Sequence, residues 1–389
     1  MSIFTPVTSD LRATLPALLS LAVASCLAVT TEVLPVGLLT GIGDRFGVEA
    51  SVTGLLVTLY AVMVATLAVP LTLITSRYPR KPLLLLTLAG YALSNVMVAA
   101  APVFAVVAAG RVIGGITHAL FFSLCIGYVP RLVSGAYVGR ALALATGGAS
   151  AGFVLGVPLS TSLGTAVGWR ASFAVLAVAS VAVLVVVAVV LPEVAGDHPV
   201  GTGDGRNSGL AAVAIANVLT YLGQFTLYTF ITLLVLSSGL EPVLVGPLLL
   251  LCGACGFVGL YCTARTLDRN PRATAAIVLL IVIGGLVMLG YAYPTLGLVV
   301  LAAAVWNGAF GGVPSIYQAC AVRAQAVSPE LAGAWINATA NLGIAGGAAI
   351  GAGVLTVADV AVLPWVAAGL VACGLVVVVV ARRAFPATP

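Results

Sequence analysis

Residues 50–76 carry no charge, residues 77–81 read Arg77-Tyr78-Pro79-Arg80-Lys81, and residues 82–110 are again uncharged. Crossing the hydrocarbon of a bilayer takes about 20 predominantly apolar residues. Each uncharged run is long enough for that, and the three cations between them keep the short turn in water. The same alternation continues outward in both directions: residues 171–192, 273–322, 331–358 and 360–381 also lack charge. The 273–322 run is too long for one crossing and divides at Tyr293-Pro294-Thr295. Only 7% of the residues are charged, against roughly 25% in soluble domains. A chain of 389 residues cannot cover a water-facing surface with so few. This excludes a cytosolic enzyme, a nucleic-acid binder and a disordered chain.

The pattern predicts an all-α membrane protein of twelve helices, at about 14–40, 51–75, 82–101, 103–128, 139–163, 169–191, 210–237, 243–265, 274–293, 296–321, 331–355 and 360–381. No segment reads as a cleaved signal peptide. An even number of crossings puts both termini on one side. With that side inside, the inner segments hold Arg12, Arg77, Arg80, Lys81, Arg131, Arg140, Arg206, Arg265, Arg269, Arg272, Arg323, Arg382 and Arg383, thirteen of the 16 basic residues. Arg45 and Arg170 fall outside, and Arg111 lies within a crossing. Basic residues accumulate in cytoplasmic loops, so cytoplasmic termini are expected. Lys81 is the only lysine. With the abundant Ala and Val, this points to a GC-rich bacterial genome and hence to a bacterial inner membrane.

Two halves are visible. Residues 192–209 are rich in Gly, Asp and Pro and too polar to cross, which divides the chain into a bundle at 1–191, a cytoplasmic linker at 192–209 and a bundle at 210–389. The turn Arg77-Tyr78-Pro79-Arg80 recurs as Arg269-Asn270-Pro271-Arg272, an offset of 192. The glycines Gly148, Gly152 and Gly156 recur as Gly343, Gly347 and Gly351, an offset of 195. Spacing of four lines up small residues on one face, where backbones approach closely in lipid. Parallel six-helix repeats are one architecture of secondary transporters.

Ionisable residues inside hydrocarbon are costly and mark functional positions. Here they are Glu32 in the first helix, and Arg111 with His118 in the fourth. At 1.5 Å per residue, Glu32 lies about 7 Å and Arg111 about 6 Å outward of their helix centres, so the two share a level. His118 stands two turns from Arg111 on the same face. Burial favours the neutral form of a carboxyl, whereas a nearby guanidinium favours the anion. Glu32 beside Arg111 is therefore expected to load and release a proton, with a static ion pair as the alternative. His118 reads either as a relay or as a hydrogen-bonded core residue. An offset of 192 makes Gln224 the neutral counterpart of Glu32. Gln224, Tyr228, Asn307, Gln318, Asn337 and Asn341 are the candidate solute contacts of the second half, with Trp306 and Phe225 as candidate apolar lining. The CxxC of Cys252 and Cys255 lies on an apolar helix without a second pair, so it reads as core and not as a metal or redox site.

Several stretches carry a family pattern: Thr31-Glu32 with Pro35-Val36-Gly37-Leu38-Leu39, and Arg111 with Gly115, His118-Ala119 and Phe121-Phe122. To these add Gly148, Gly152, Gly156 and Pro158, then Gly168-Trp169-Arg170 with Phe173, and Asn341 with Gly343 and Gly347. In this order they resemble the twelve-helix drug:proton antiporters of the major facilitator superfamily, over nearly the whole chain. The sequence is similar to the sugar-, arabinose- and chloramphenicol-efflux members. The resemblance implies two pseudo-symmetric bundles that alternate access to a central site, a role for Arg111 in proton transfer, and export associated with the glycines of the fifth helix. It also implies a conformational role for Arg77, Arg80, Lys81, Asp268 and Arg269. One departure stands out: Thr72, Ser76 and Pro79 replace the Gly, Asp and Gly of the signature between helices two and three. The aspartate of that signature latches the inner gate in many members.

The expected function is proton-coupled efflux of a small organic solute such as a drug, sugar or nucleoside. The alternatives are a symporter or uniporter on the same fold, a non-transporting receptor or scaffold, and a membrane enzyme. Two histidines, one of them His198 in the linker, do not furnish an enzyme's cluster. The expected partners are solute, protons and lipid. No cofactor, metal or nucleic acid is expected, and the chain is expected to act as a monomer.

Overall fold

A computed structural model describes residues 11–133, 138–194, 208–267, 269–327 and 329–385. Twelve of its helices are long and apolar enough to cross a membrane: α1 (Thr14–Phe46), α2 (Ala50–Thr75), α3 (Arg80–Ala99), α4 (Phe104–Cys125), α5 (Gly147–Val167), α6 (Trp169–Val190), α7 (Gly209–Ser237), α8 (Pro242–Thr266), α9 (Pro271–Ala292), α10 (Leu296–Arg323), α11 (Leu331–Val357) and α12 (Val360–Val380). These match the expected helices to within about three residues at most ends, with two departures: the first runs to Phe46 instead of stopping near residue 40, and the fifth crosses at Gly147–Val167, later than the expected 139–163, although its helix already begins at Val138. Most of the 192–209 segment, including His198 and Arg206, lies outside the described residues, as does Asp268.

The outward faces are apolar. On α6, Val175, Val178, Val185 and Val189 are exposed, while Ser172, Phe173, Ser180 and Val187 face inward. Such a surface is stable against lipid tails, which are as apolar as the side chains themselves. The helix ends are held by local chemistry. Asn270 accepts the Ala273 N–H at 2.9 Å and caps α9 ahead of Pro271, an N-terminal arrangement that side-chain capping and proline favour.

The two halves repeat one packing scheme. In the first half α1 lies on α5, α2 on α4, and α3 on α4 and α6; in the second, α7 lies on α11, α8 on α10, and α9 on α10 and α12. Glycines set the register. A Cβ on Gly148, Gly152 or Gly156 would meet Ala22, Cys26 or Thr30 of α1, and one on Gly343, Gly347 or Gly351 would meet Val218, Leu222 or Thr226 of α7. Likewise a Cβ on Gly115 would strike the Tyr60 backbone, and one on Gly311 the Gly256 backbone. Between α1 and α7, and between α4 and α10, the repeat is therefore offset by 196. This corrects the offset taken from the turns: the counterpart of Glu32 is Tyr228, with Gln224 one turn away, and the counterpart of Arg111 is Asn307. Turns between helices gain and lose residues freely, whereas a packed glycine cannot slip without a clash.

The halves meet along α2–α11, α5–α8 and α1–α7. The largest buried cluster draws Val29, Val33, Val36 and Leu39 of α1, Val57 and Ala61 of α2 and Val157 of α5 together with the second half. Thr232 of α7 donates to the Val36 carbonyl at 2.8 Å, and Thr58 of α2 to the Ala345 carbonyl at 3.3 Å. Three helices are irregular near these contacts. α5 has a π-helical turn at Gly152–Gly156, α7 is broken between Tyr228 and Ile231, and α10 between Phe310 and Val313. Such interruptions survive within a membrane only where neighbouring protein satisfies the backbone.

Candidate functional site

Glu32 points from α1 towards α4. Its Oε2 lies 3.6 Å from His118 Nε2. Its Oε1 is buried and has no hydrogen-bond partner, yet the side chain as a whole is 12% exposed, so the carboxyl stands at the edge of the packed interior. The opposite ring nitrogen of His118, Nδ1, shares a hydrogen bond of 2.8 Å with the Tyr60 hydroxyl. When Tyr60 donates that proton, the neutral ring carries its own on Nε2, which is the nitrogen facing Glu32. Tyr60, Tyr91 and Phe122 enclose the imidazole, with centroids at 5.4, 6.2 and 4.9 Å.

Arg111 is buried beside this group, but its donors go elsewhere. Nη1 donates to the Thr31 carbonyl and Nη2 to the Glu32 carbonyl, both at 2.6 Å. A longer contact of 3.4 Å joins Nε to the Leu56 carbonyl of α2, and the guanidinium lies 4.2 Å over the Tyr60 ring. Hydrogen bonds from a charged donor stabilise by roughly 1.5–3 kcal/mol each, so the cation is anchored to backbone. The sequence expectation that Glu32 and Arg111 share a level holds. The static ion pair given as the alternative is not formed: the basic group nearest the carboxylate is His118. Backbone acceptors are invisible to a reading that matches side chain with side chain.

The second half forms a neutral cluster. Gln224 accepts from Trp306 Nε1 at 2.6 Å and donates to Asn307 Oδ1 at 3.4 Å. The Tyr228 ring lies 6.2 Å from that of Trp306. Tyr221 stacks with Phe225 at 6.2 Å, meets Phe310 at 5.3 Å, and brings its phenol within electrostatic reach of Glu32. Of the predicted solute contacts, Gln224, Tyr228 and Asn307 are thus assembled. Asn337 and Asn341 bond to each other along α11 at 3.1 and 3.2 Å, leaving Asn337 Nδ2 and Asn341 Oδ1 without partners. Gln318 is half-buried on α10 and joins neither cluster by a hydrogen bond.

Replacing Gln224 by leucine strands the buried Trp306 N–H. Gln224→Leu is expected to lower stability by about 1–3 kcal/mol, and adding Trp306→Phe, which removes the stranded donor but opens a cavity at a fully buried site, is expected to cost less than the sum of the two single substitutions. Thermal melting in detergent reads both.

Among the helix-end residues, Arg77 and Arg269 are exposed and Lys81 is half-buried. Arg80 is buried, with its amide on the Val194 carbonyl at 2.9 Å and its Nε unpartnered. Ser76, which stands where the signature has aspartate, turns back on its own helix and donates to the Leu73 carbonyl at 2.8 Å. Thr72 ties α2 to α4 through Ser123 at 2.7 Å. The Pro158 carbonyl faces Gly246 of α8. Among the described residues no cluster of three or more His, Cys, Asp and Glu is assembled that could hold a metal ion.

Sequence reasoning missed Tyr60, Tyr91, Tyr221 and Asn95. Asn95 donates to Thr31 Oγ1 at 3.1 Å while its Oδ1 is unpartnered. Extending the search for ionisable groups in apolar helices to amides finds it. The tyrosines carry no such signal, because phenols are ordinary in apolar helices.

The sequence pattern of the Major Facilitator Superfamily matches residues 21–333. Two relatives from Mycobacterium tuberculosis are 30% identical to the chain, each covering 94% of it and 92% of the relative: Chloramphenicol efflux pump MT0201 (strain CDC 1551 / Oshkosh) and Chloramphenicol efflux pump Rv0191 (strain ATCC 25618 / H37Rv). Among solved structures, a D-xylose-proton symporter superposes with a TM-score of 0.74 at 15% identity, over 98% of each chain. The human organic anion transporter MFSD10 does so with a TM-score of 0.67 at 21% identity, over 96% of this chain and 100% of that one. At these identities the structural likeness establishes the fold alone.

Proposed function

The chain belongs to the Major Facilitator Superfamily, and from that membership we propose that it is a proton-driven exporter of small organic solutes in a bacterial plasma membrane, with both termini cytoplasmic. At the coarser level, it is a multi-pass membrane transporter of small molecules and not an enzyme. The finer reading is carried by one observation: Glu32 is an acidic group inside the helices whose carboxyl has one unpartnered oxygen and, 3.6 Å away, the imidazole of His118. A carboxyl so placed takes up a proton without breaking an ion pair, because Arg111 is engaged by backbone carbonyls.

Solute would contact the second-half cluster of Gln224, Tyr228, Asn307 and Trp306, near the Glu32 level. Amide and aromatic groups suit a neutral, moderately hydrophobic molecule that offers its own hydrogen-bonding groups. Chloramphenicol is the first solute to try, given the two relatives named for its efflux. Gln318, Asn337 and Asn341 remain candidates for solute contact in another state of the cycle. Coupling follows if proton and solute differ in affinity between the two arrangements of the bundles, since a ligand shifts an equilibrium only by that difference. The rocking unit would be one bundle against the other, with the boundary in 192–209 and a monomer as the working form.

Purified protein in proteoliposomes with an imposed pH gradient tests direction. Labelled chloramphenicol is expected to move against the proton flow. Movement with the protons would establish symport instead, and movement indifferent to the gradient would establish uniport.

A further inference from the structure

We propose that Pro35 is a positioning residue for the proton site: its missing amide hydrogen leaves the Thr31 carbonyl open to Arg111, which holds the guanidinium off the Glu32 carboxylate. This rests on the reading of Glu32 as the proton carrier.

In an α-helix the N–H of residue i bonds the carbonyl of residue i−4. Residue 35 is a proline inside α1, so the Thr31 carbonyl has no such donor. In hydrocarbon an unsatisfied carbonyl costs several kcal/mol, and prolines are accepted in membrane helices where a neighbouring helix supplies the missing donor. Here Arg111 Nη1 supplies it at 2.6 Å, and Nη2 takes the adjacent Glu32 carbonyl at the same distance. With Nε directed at Leu56 and the plane over Tyr60, the fork is oriented by backbone on two helices. The carboxylate is left to His118, with one oxygen unpartnered.

The repeat supplies a natural comparison. At the offset of 196, Ile231 occupies the place of Pro35 and Asn307 that of Arg111. There α7 is broken between Tyr228 and Ile231, and Asn307 donates to Ala303 of its own helix and accepts from Gln224. Where the proline is absent, the clasp from the fourth helix of the half onto the backbone of the first is absent as well.

The titratable groups within electrostatic reach of Glu32 are Arg111 and His118 from α4, Tyr60 from α2, Tyr91 from α3 and Tyr221 from α7, and of these His118 alone is in contact with the carboxyl, at 3.6 Å. Of these, only the guanidinium is held by the acceptor that Pro35 leaves open. Pro35→Ala returns an N–H to residue 35, which recaptures the Thr31 carbonyl and frees Nη1 to turn towards the carboxylate.

The test is infrared difference spectroscopy of the full chain in proteoliposomes, following the protonated-carboxyl band that is absent from Glu32→Gln. In Pro35→Ala the pH at which that band is half-developed is expected to move to more acidic values by about 1 unit or more. The movement should vanish when Arg111→Gln is added. An unmoved half-point overturns the proposal, and so does an equal movement in the Arg111→Gln background, because a bend in the helix acting alone would give that result. Pro35→Gly restores the same N–H and serves where Pro35→Ala does not accumulate. The readout does not require transport. If the half-point moves while efflux proves independent of the proton gradient, the positioning role stands and the coupling reading falls.

Discussion

Glu32→Gln is expected to reduce gradient-driven efflux to the background of empty vesicles while leaving the protein abundant in the membrane. Glutamine has the shape of glutamate and its hydrogen-bonding reach, but it takes up no proton near neutral pH. The fold should not suffer. The carboxyl makes no hydrogen bond with Oε1 and no short ion pair with Oε2, and removing a poorly partnered charge from the interior relieves a cost. Arg111 keeps its two carbonyls of α1 in the variant, so the α1–α4 contact persists. Solute exchange down its own gradient should also persist, because the Gln224, Asn307 and Trp306 cluster is untouched. Efflux assays in energised vesicles, run beside solute counterflow without a pH gradient, separate the two activities. Gradient-driven efflux at the wild-type rate would remove Glu32 from the mechanism. Loss of both activities with normal abundance would show that Glu32 holds the solute site as well.

The second large effect is expected at adjacent glycines. A Cβ on Gly148 would fall on the Ala22 backbone, 2.7 Å from its Cα and closer still to its carbonyl, whereas a Cβ on Gly147 meets nothing within 4 Å. Gly148→Val should therefore force α5 away from α1, and Gly147→Val should be tolerated. Overpacking typically costs about 1–3 kcal/mol, and the upper end applies here because the obstacle is backbone, which cannot change rotamer. The penalty should propagate, since α5 also meets α8 of the other half, where Val154 lies 2.8 Å from the site of a Cβ on Gly253. The yield of monodisperse protein after detergent extraction, with its melting temperature, checks the pair. Equal behaviour of the two variants would mean that α1 and α5 do not pack in this register.

How much of the site was legible follows from where each group finds its partner. Glu32, Arg111 and His118 stood out because charge is rare in apolar helices, and estimated depth alone put the first two on a level. Tyr60 donates to or accepts from a histidine 58 positions away, and nothing in α2 distinguishes it from a packing tyrosine. The binding of Arg111 to carbonyls was legible in principle. Pro35 announces an open acceptor at Thr31, but which donor reaches it depends on how α1 and α4 cross. The repeat was visible from turns and glycines, yet its register came out four residues short for α1 and α7, because a loop length is not a packing contact.

Composition and charge spacing were enough for twelve membrane-crossing helices, the recurring turns and glycines for two related halves, and the count along each helix for an acid and a base at one level. Hydrophobic length and the cost of charge in hydrocarbon are local properties that each segment carries by itself. Only the tertiary structure decided that the guanidinium grips the backbone of α1, that the imidazole faces the carboxyl, and that Tyr228 rather than Gln224 answers to Glu32. Those outcomes depend on rotation and slide between packed helices, which are set by contacts among residues far apart in the chain and leave no periodic trace in any one segment.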